Sequence, residues 1–123
     1  AEAVRSDALE LALLLSRRIV ESEVTSNVDA LFSLVRSVVR KVGESRKVVV
    51  RLAPENAARV NEAGSSKVLS GLAAAEVEIV GDGSLGVADC VVEADFGSID
   101  GRADTRFDAL RRIVREASAE EKA

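Results

Sequence analysis

The sequence predicts an α+β fold. An N-terminal helical, coiled-coil-like region over residues 1–43 precedes a small α/β domain over residues 44–123, with a mixed sheet of about four strands and a C-terminal helix. Three observations carry this reading. Apolar residues recur at spacings of three and four through the N-terminal part of the chain. Short β-branched runs punctuated by Gly and Pro follow. An amphipathic run with an acidic start closes the chain.

The first helix is expected over roughly Glu2 to Glu23, where Val4, Ala8, Leu11, Leu15 and Ile19 fall on one face. Leu13, Leu14 and Val20 widen the apolar surface. A helix apolar on more than one side needs more than one neighbour. It can pack on its own domain, or pair with a second copy of the chain; the pattern alone leaves both open. Thr25-Ser26-Asn27 interrupts the pattern, and Ser26 with Asp29 fits a loose capping box for the next helix. That helix runs to about Val42 on a seam of Val28, Leu31, Val35, Val38 and Val42, with Phe32 and Val39 beside it and Gly43 placed to end it.

The remainder alternates strands and helices. Lys47 to Leu52 is dense in Val and suits a strand. Pro54 sits at a first helical position, where its missing N–H costs nothing. Ala57, Ala58 and Val60 give that helix a small apolar face, and Gly64 ends it. Ser65 to Gly71 reads as a loop or short helical turn, Glu76 to Val80 as a second strand, and Gly81 to Gly86 as a hairpin turn. Asp89 to Asp95 and Gly97 to Arg102 read as the third and fourth strands. The last helix is expected from Thr105, with Asp108 at the capping-box position and Phe107, Leu110, Val114 and Ala117 on one face beside Ile113. The polar tail from Ser118 is expected to fray.

Composition excludes several functions. Among 123 residues, 47 % are hydrophobic and three Phe are the only aromatics, so the core is aliphatic. The net charge of −4, with no basic cluster and few aromatics, argues against nucleic-acid binding. The apolar run Ala8 to Leu15 is interrupted by Glu10, is too short to cross a bilayer, and lacks a signal-peptide cleavage site. With one cysteine and therefore no internal disulfide, a cytosolic location is expected. The chain begins with Ala and has no Met, so it is expected to be a fragment of a longer protein.

Catalytic chemistry finds little footing. Without histidine, the commonest general base and zinc ligand are missing, and Ser–His or Cys–His nucleophile systems are excluded within this chain. Cys90 lies in an apolar strand and reads as a small buried hydrophobe. Gly81, Gly83 and Gly86 spell G-x-G-x-x-G, but a pyrophosphate site needs a helix next, and the following VADCVVEAD alternates as a strand does. Glu93, Asp95, Asp100 and Asp104 could hold Mg²⁺ or Ca²⁺ through oxygen, yet their spacing matches no ion loop, and a solvated face is the plainer reading. No enzyme activity, cofactor or metal is expected.

The run DCVVEADFGSIDGRADTRFDALRR, Asp89 to Arg112, resembles the FliH/YscL (SctL, HrpE) family, the stator or peripheral-stalk proteins of type III secretion ATPases. In that family a strand with Cys and an acid leads to an aromatic-Gly turn, an Ile/Val-Asp pair and a helix near Asp-Thr. The matching residues are Cys90, Glu93, Phe96, Gly97, Ile99, Asp100, Asp104, Thr105 and Leu110. Upstream, VVVRLAPENAARV, with Pro54, and VEIVGDGSLGVADC follow the family's order; the resemblance covers roughly Val42 to Ile113 and, more weakly, the N-terminal helices. Gly101 and Ala103 depart from the pattern, where Ala or Ser and a bulkier apolar residue are common.

The resemblance implies a non-catalytic homodimer, its N-terminal helices pairing through Val4, Ala8, Leu11, Leu15 and Ile19. It implies a C-terminal domain that grips the N-terminal segment of the secretion ATPase and restrains that enzyme, flagellar or virulence-associated, until assembly. It places the protein in the cytoplasm beside the export apparatus at the inner membrane, with the cytoplasmic ring as a further contact and no nucleic acid or membrane insertion. Two rivals are an E-like peripheral-stalk subunit of a rotary ATPase, or another dimeric scaffold, and a small enzyme using the acidic group with a metal. Truncating Phe96 is expected to cost about 3–5 kcal/mol if its ring is buried.

Overall fold

A computed structural model describes residues 2–64 and 74–122. Among them the order is α1 (Glu2–Ser26), α2 (Val28–Val39), β1 (Ser45–Leu52), α3 (Pro54–Ala63), β2 (Ala74–Gly81), β3 (Cys90–Ala94), β4 (Gly97–Gly101) and α4 (Ala103–Lys122). This is the α+β architecture that the change of apolar period predicts. The expected loop at Ser65 to Gly71 lies outside the described residues.

The break between the first two helices is a single residue. Asn27 takes an extended conformation and its side chain accepts from the Asp29 N–H at 2.9 Å, so Asn27 caps α2. Ser26, the residue the sequence favours as cap, is still helical, and its hydroxyl donates back to the Ser22 carbonyl at 2.8 Å. α2 ends at Val39, and the N–H groups of Lys41 and Val42 donate to Val38 and Val39 in tighter turns before Gly43.

The sheet order is β2-β1-β3-β4, with β1 parallel to β2 and antiparallel to β3, and β3 antiparallel to β4. β1 alternates Val48, Val50 and Leu52 onto the core face, all at most 1 % exposed, and takes a central position with a partner on each side. The parallel pairing with β2 requires a crossover, which runs through α3. Gly81 to Gly86 is therefore not a hairpin turn, because β2 and β3 flank β1 and do not pair. It crosses the end of β1 instead: the Asp82 N–H donates to the Leu52 carbonyl at 2.8 Å, and the Asp82 carboxylate accepts from the Ser84 N–H and hydroxyl.

α2 lies across one face of the sheet. Leu31, Phe32, Val35, Val38 and Val39 meet Val48, Val50, Leu52, Cys90 and Val92 in one cluster, joined by Ala57 and Val60 of α3 and Val24 of α1. The core thus draws on residues from both sides of Gly43. Each fully buried aliphatic side chain contributes about 1.5–3 kcal/mol relative to exposure. The other face carries cross-strand ion pairs, Lys47–Glu78 and Arg51–Glu93. Buried Asn56 ties the layers together: its amide donates to the Val87 carbonyl at 2.8 Å. Its oxygen accepts from Arg59, which also donates to the Val24 carbonyl at the end of α1.

Glycine at position 101 has a steric reason. A Cβ there would stand 2.5 Å from the Cys90 carbonyl and 2.6 Å from Val38 Cγ2, so the end of β4 fits under α2 only as glycine. Ala103 is 3 % exposed at the first residue of α4. α4 starts two residues earlier than expected. Its first turn is held from outside by Asp89, which accepts from the Ala103 N–H at 2.7 Å, and by Asp100, which accepts from the Arg102 N–H at 3.0 Å. Asp108 instead pairs with Arg111. The tail remains helical through Lys122, since Ala, Glu and Lys favour the helix.

Candidate partner interface

α1 is apolar on two opposite faces. At about 100° per residue, Leu9, Leu13, Val20 and Val24 share one side, roughly 150° from the stripe Val4, Ala8, Leu11, Leu15, Ile19. The first side packs inward: Leu13 and Val24 are buried, Leu9 and Val20 half-buried. The stripe faces solvent along the helix, with Val4 and Ile19 each 68 % exposed and Leu11 57 %. Leu14 extends it, and on α4 Leu110 and Ile113 are also exposed. An exposed apolar stripe of this kind makes this face of α1 the candidate partner surface.

α4 lies antiparallel on α1, held by charge. Arg111 donates to Glu10 through Nε at 2.7 Å and Nη2 at 3.0 Å, Arg115 reaches the same carboxylate, and Arg17 donates to Asp104. The Arg111 hydrogen bonds hold the Glu10 carboxyl below its ordinary range, and the Arg17 hydrogen bond does the same for Asp104. The signal was present in the sequence: Glu10 and Arg17 are two helical turns apart, Asp104 and Arg111 repeat that acid-to-base spacing, and antiparallel packing sets each acid against the other helix's arginine.

The motif residues have mostly local work. Pro54 opens α3. Cys90 is fully buried, and burial pushes its thiol up to about 12, so it stays protonated. Glu93 accepts from Arg51 at 2.7 Å, Asp95 accepts from the Arg46 N–H at 2.8 Å, and Asp104 meets Arg17. Asp100 accepts from the Arg102 side chain and N–H and from the Thr105 hydroxyl, which holds its carboxyl well below the usual carboxylate range. The four acids are thus distributed over separate partners, and no group of three or more His, Cys, Asp or Glu able to hold a metal occurs among the described residues. Gly97 takes a positive φ of 144°, Ile99 packs against the core, and Leu110 stays partly open on α4. Phe96, at the tip of the β3–β4 turn, is 95 % exposed, so the condition for a buried-ring penalty is not met.

Two residues that the sequence reading passed over matter here. Asp89 joins the turn at Gly86 to the start of α4, accepting from both N–H groups. Arg106 stands half-buried between α1, α2 and α4.

This arrangement defines a helix-presenting α+β module: a sheet domain closed by α2 and α3, carrying a long helix with an open apolar face. The chain belongs to the flagellar assembly protein FliH family, whose profile matches residues 1–110. It is also similar to a type 3 secretion system stator protein of Yersinia enterocolitica, with 27 % identity over 111 residues, covering 90 % of this chain and 49 % of that protein. The chain therefore spans about half the length of that curated relative. No described helix is long and apolar enough to cross a membrane.

Proposed function

We propose that this chain acts as a stator of a type III protein export apparatus. It pairs with a second copy through α1, holds the export ATPase, and restrains ATP hydrolysis until the apparatus is assembled. The observation that carries this reading is the solvent-facing stripe Val4, Ala8, Leu11, Leu15 and Ile19, presented by a member of the FliH family. A stripe opposite an already packed face suits pairing with another helix, since burying it removes large aliphatic side chains from water. The name of the Yersinia enterocolitica relative supports the stator role. In this reading the protein works in the cytoplasm, beside the export apparatus at the inner membrane and its cytoplasmic ring, and contributes no catalytic group.

The test is co-purification of the full-length protein with the ATPase of its own secretion system, with ATP turnover measured alone and in the complex. A stable complex with lowered turnover is expected. If no complex forms at micromolar concentrations, the reading fails.

A further inference from the structure

α1 joins the sheet layer through one extended residue. Asn27, at φ −131° and ψ 112°, separates it from α2, and α2 belongs to the core. α1 is 25 residues long, about 37 Å at a rise of about 1.5 Å per residue. A change of about 10° at Asn27 therefore carries the far end of α1 through roughly 6 Å. Small contacts near this joint thus decide where the whole helix points.

Beside the joint, Arg59 Nη1 donates to the Val24 carbonyl at 2.8 Å and to Asn56 Oδ1 at 3.0 Å. The Val24 carbonyl is one of the last four of α1, which lack an N–H further along their own helix. A guanidinium there satisfies it and meets the negative end of the helix dipole. Asn56, 2 % exposed, holds Arg59 from below and donates its amide to the Val87 carbonyl at 2.8 Å. Val87 lies in the turn that crosses the end of β1, where the Asp82 N–H is bonded to Leu52. The same turn carries Asp89, which accepts from the Gly86 N–H and from the Ala103 N–H at the start of α4, each at 2.7 Å. One residue further on, Asp104 meets Arg17 of α1. The contacts close a ring. α1 is held at Val24 through α3 and, about 10 Å nearer its N-terminus, at Arg17 through α4. A rod held at one point pivots, whereas a rod held at two points keeps its direction.

We infer that Arg59 and Asn56 form a latch that sets the direction in which α1 leaves the sheet layer, and that releasing it lets α1 turn about Asn27. Asn27 is the hinge, a single residue between two helices that absorbs the change of angle. Arg59 and Asn56 are positioning residues: they lie on α3, outside the α1 stripe, and govern where the stripe points without forming part of it. The latch does not depend on what pairs with the stripe.

The experiment is a pulsed electron spin resonance distance measurement on the full-length protein, with thermal melting alongside. Genetically encoded spin labels replace exposed Arg5 of α1 and exposed Glu55 of α3, and unlabelled protein is added in excess so that distances within one chain are read. Wild type is expected to give one narrow distance. Arg59→Ala is expected to broaden or shift it by about 5 Å or more, as the length of the lever dictates, with cooperative melting retained. Arg59→Gln keeps a polar group beside Asn56 but is too short to span both acceptors; it should broaden the distance equally, and it decides the matter if Arg59→Ala does not fold. Arg59→Lys restores a cation at the end of α1 and should sharpen the distance again. Arg17→Ala removes the second support without touching buried Asn56, and combined with Arg59→Ala it should broaden the distance more than the two single changes together. A distance that stays narrow and unshifted in both Arg59→Ala and Arg59→Gln overturns the latch, because the packing of Leu13 and Val24 then fixes α1 by itself. Failure of Arg59→Lys to sharpen the distance, or broadening that comes only with lost cooperative melting, overturns it as well.

Discussion

Apolar residues serve opposite ends in the sheet layer and in the α1–α4 pair. Under α2, Leu31, Phe32, Val35, Val50 and Leu52 are at most 2 % exposed and meet across one interface. Along α1, residues of the same types stand more than half exposed, and the helix is fixed to α4 by Glu10, Arg17, Asp104 and Arg111. The sheet layer closes on itself by burial. The helical pair adds cross-helix ion pairs to a smaller apolar contact and leaves aliphatic surface open. Exposed ion pairs contribute little individually, about 0–1 kcal/mol. The helical pair should therefore yield first when solvent conditions change, and it is the part that gains from a partner.

The largest expected effect lies in the sheet layer. Phe32→Ala removes a ring that is 2 % exposed and should cost about 3–5 kcal/mol in chemical denaturation; a loss below about 1 kcal/mol would show that the layer repacks freely. Gly101→Ala is next, since its new Cβ meets the Cys90 carbonyl and the Val38 methyl groups, and overpacking of this kind costs about 1–3 kcal/mol. An unchanged melting temperature would contradict the close approach of β4 to α2.

Acid should separate the two regions. Hydrogen bonds from Arg111, Arg17 and Arg102 lower the folded-state values of Glu10, Asp104 and Asp100 beneath their ordinary 4.5, 3.8 and 3.8. The folded state then binds fewer protons than the unfolded one. The stabilisation is fully present above those ordinary values and is lost as pH falls below them towards the folded values. Hydrogen exchange in α4 should accelerate on going from about pH 5 downward, after correction for intrinsic rates, before that of β1 does. Simultaneous loss in both would mean that charge does not hold the pair. The smallest effect belongs to Phe96→Ala: with the ring exposed, its stability cost should stay within about 0.5 kcal/mol by thermal melting.

Much of the sheet layer was legible in the sequence, because burial there follows period. The α2 seam, the alternation in β1, the burial of Cys90 and the helix start at Pro54 all read from local pattern. Strand order did not, since periodicity states which face is apolar and not which strand lies beside it; β1 between β2 and β3 is a tertiary outcome. The start of α4 was misplaced because its caps, Asp89 and Asp100, lie outside the helix, and Asp89 reaches it across the fold. At Asn27 and Ser26 both residues can cap, and the choice depended on how far α1 continues. The candidate surface was half legible. The stripe on α1 was visible, but its exposure depends on which face the sheet domain takes, and the placement of Arg106 depends on three helices meeting.

The pairing of α1 is best tested by sedimentation of the full-length protein, wild type against Leu11→Asp. Leu11 is 57 % exposed in the single chain, so the carboxylate disturbs nothing within it, yet it falls at the centre of the stripe. The expected result is a dimer for wild type and a folded monomer for the variant. A variant that still sediments as a dimer would contradict pairing through this face.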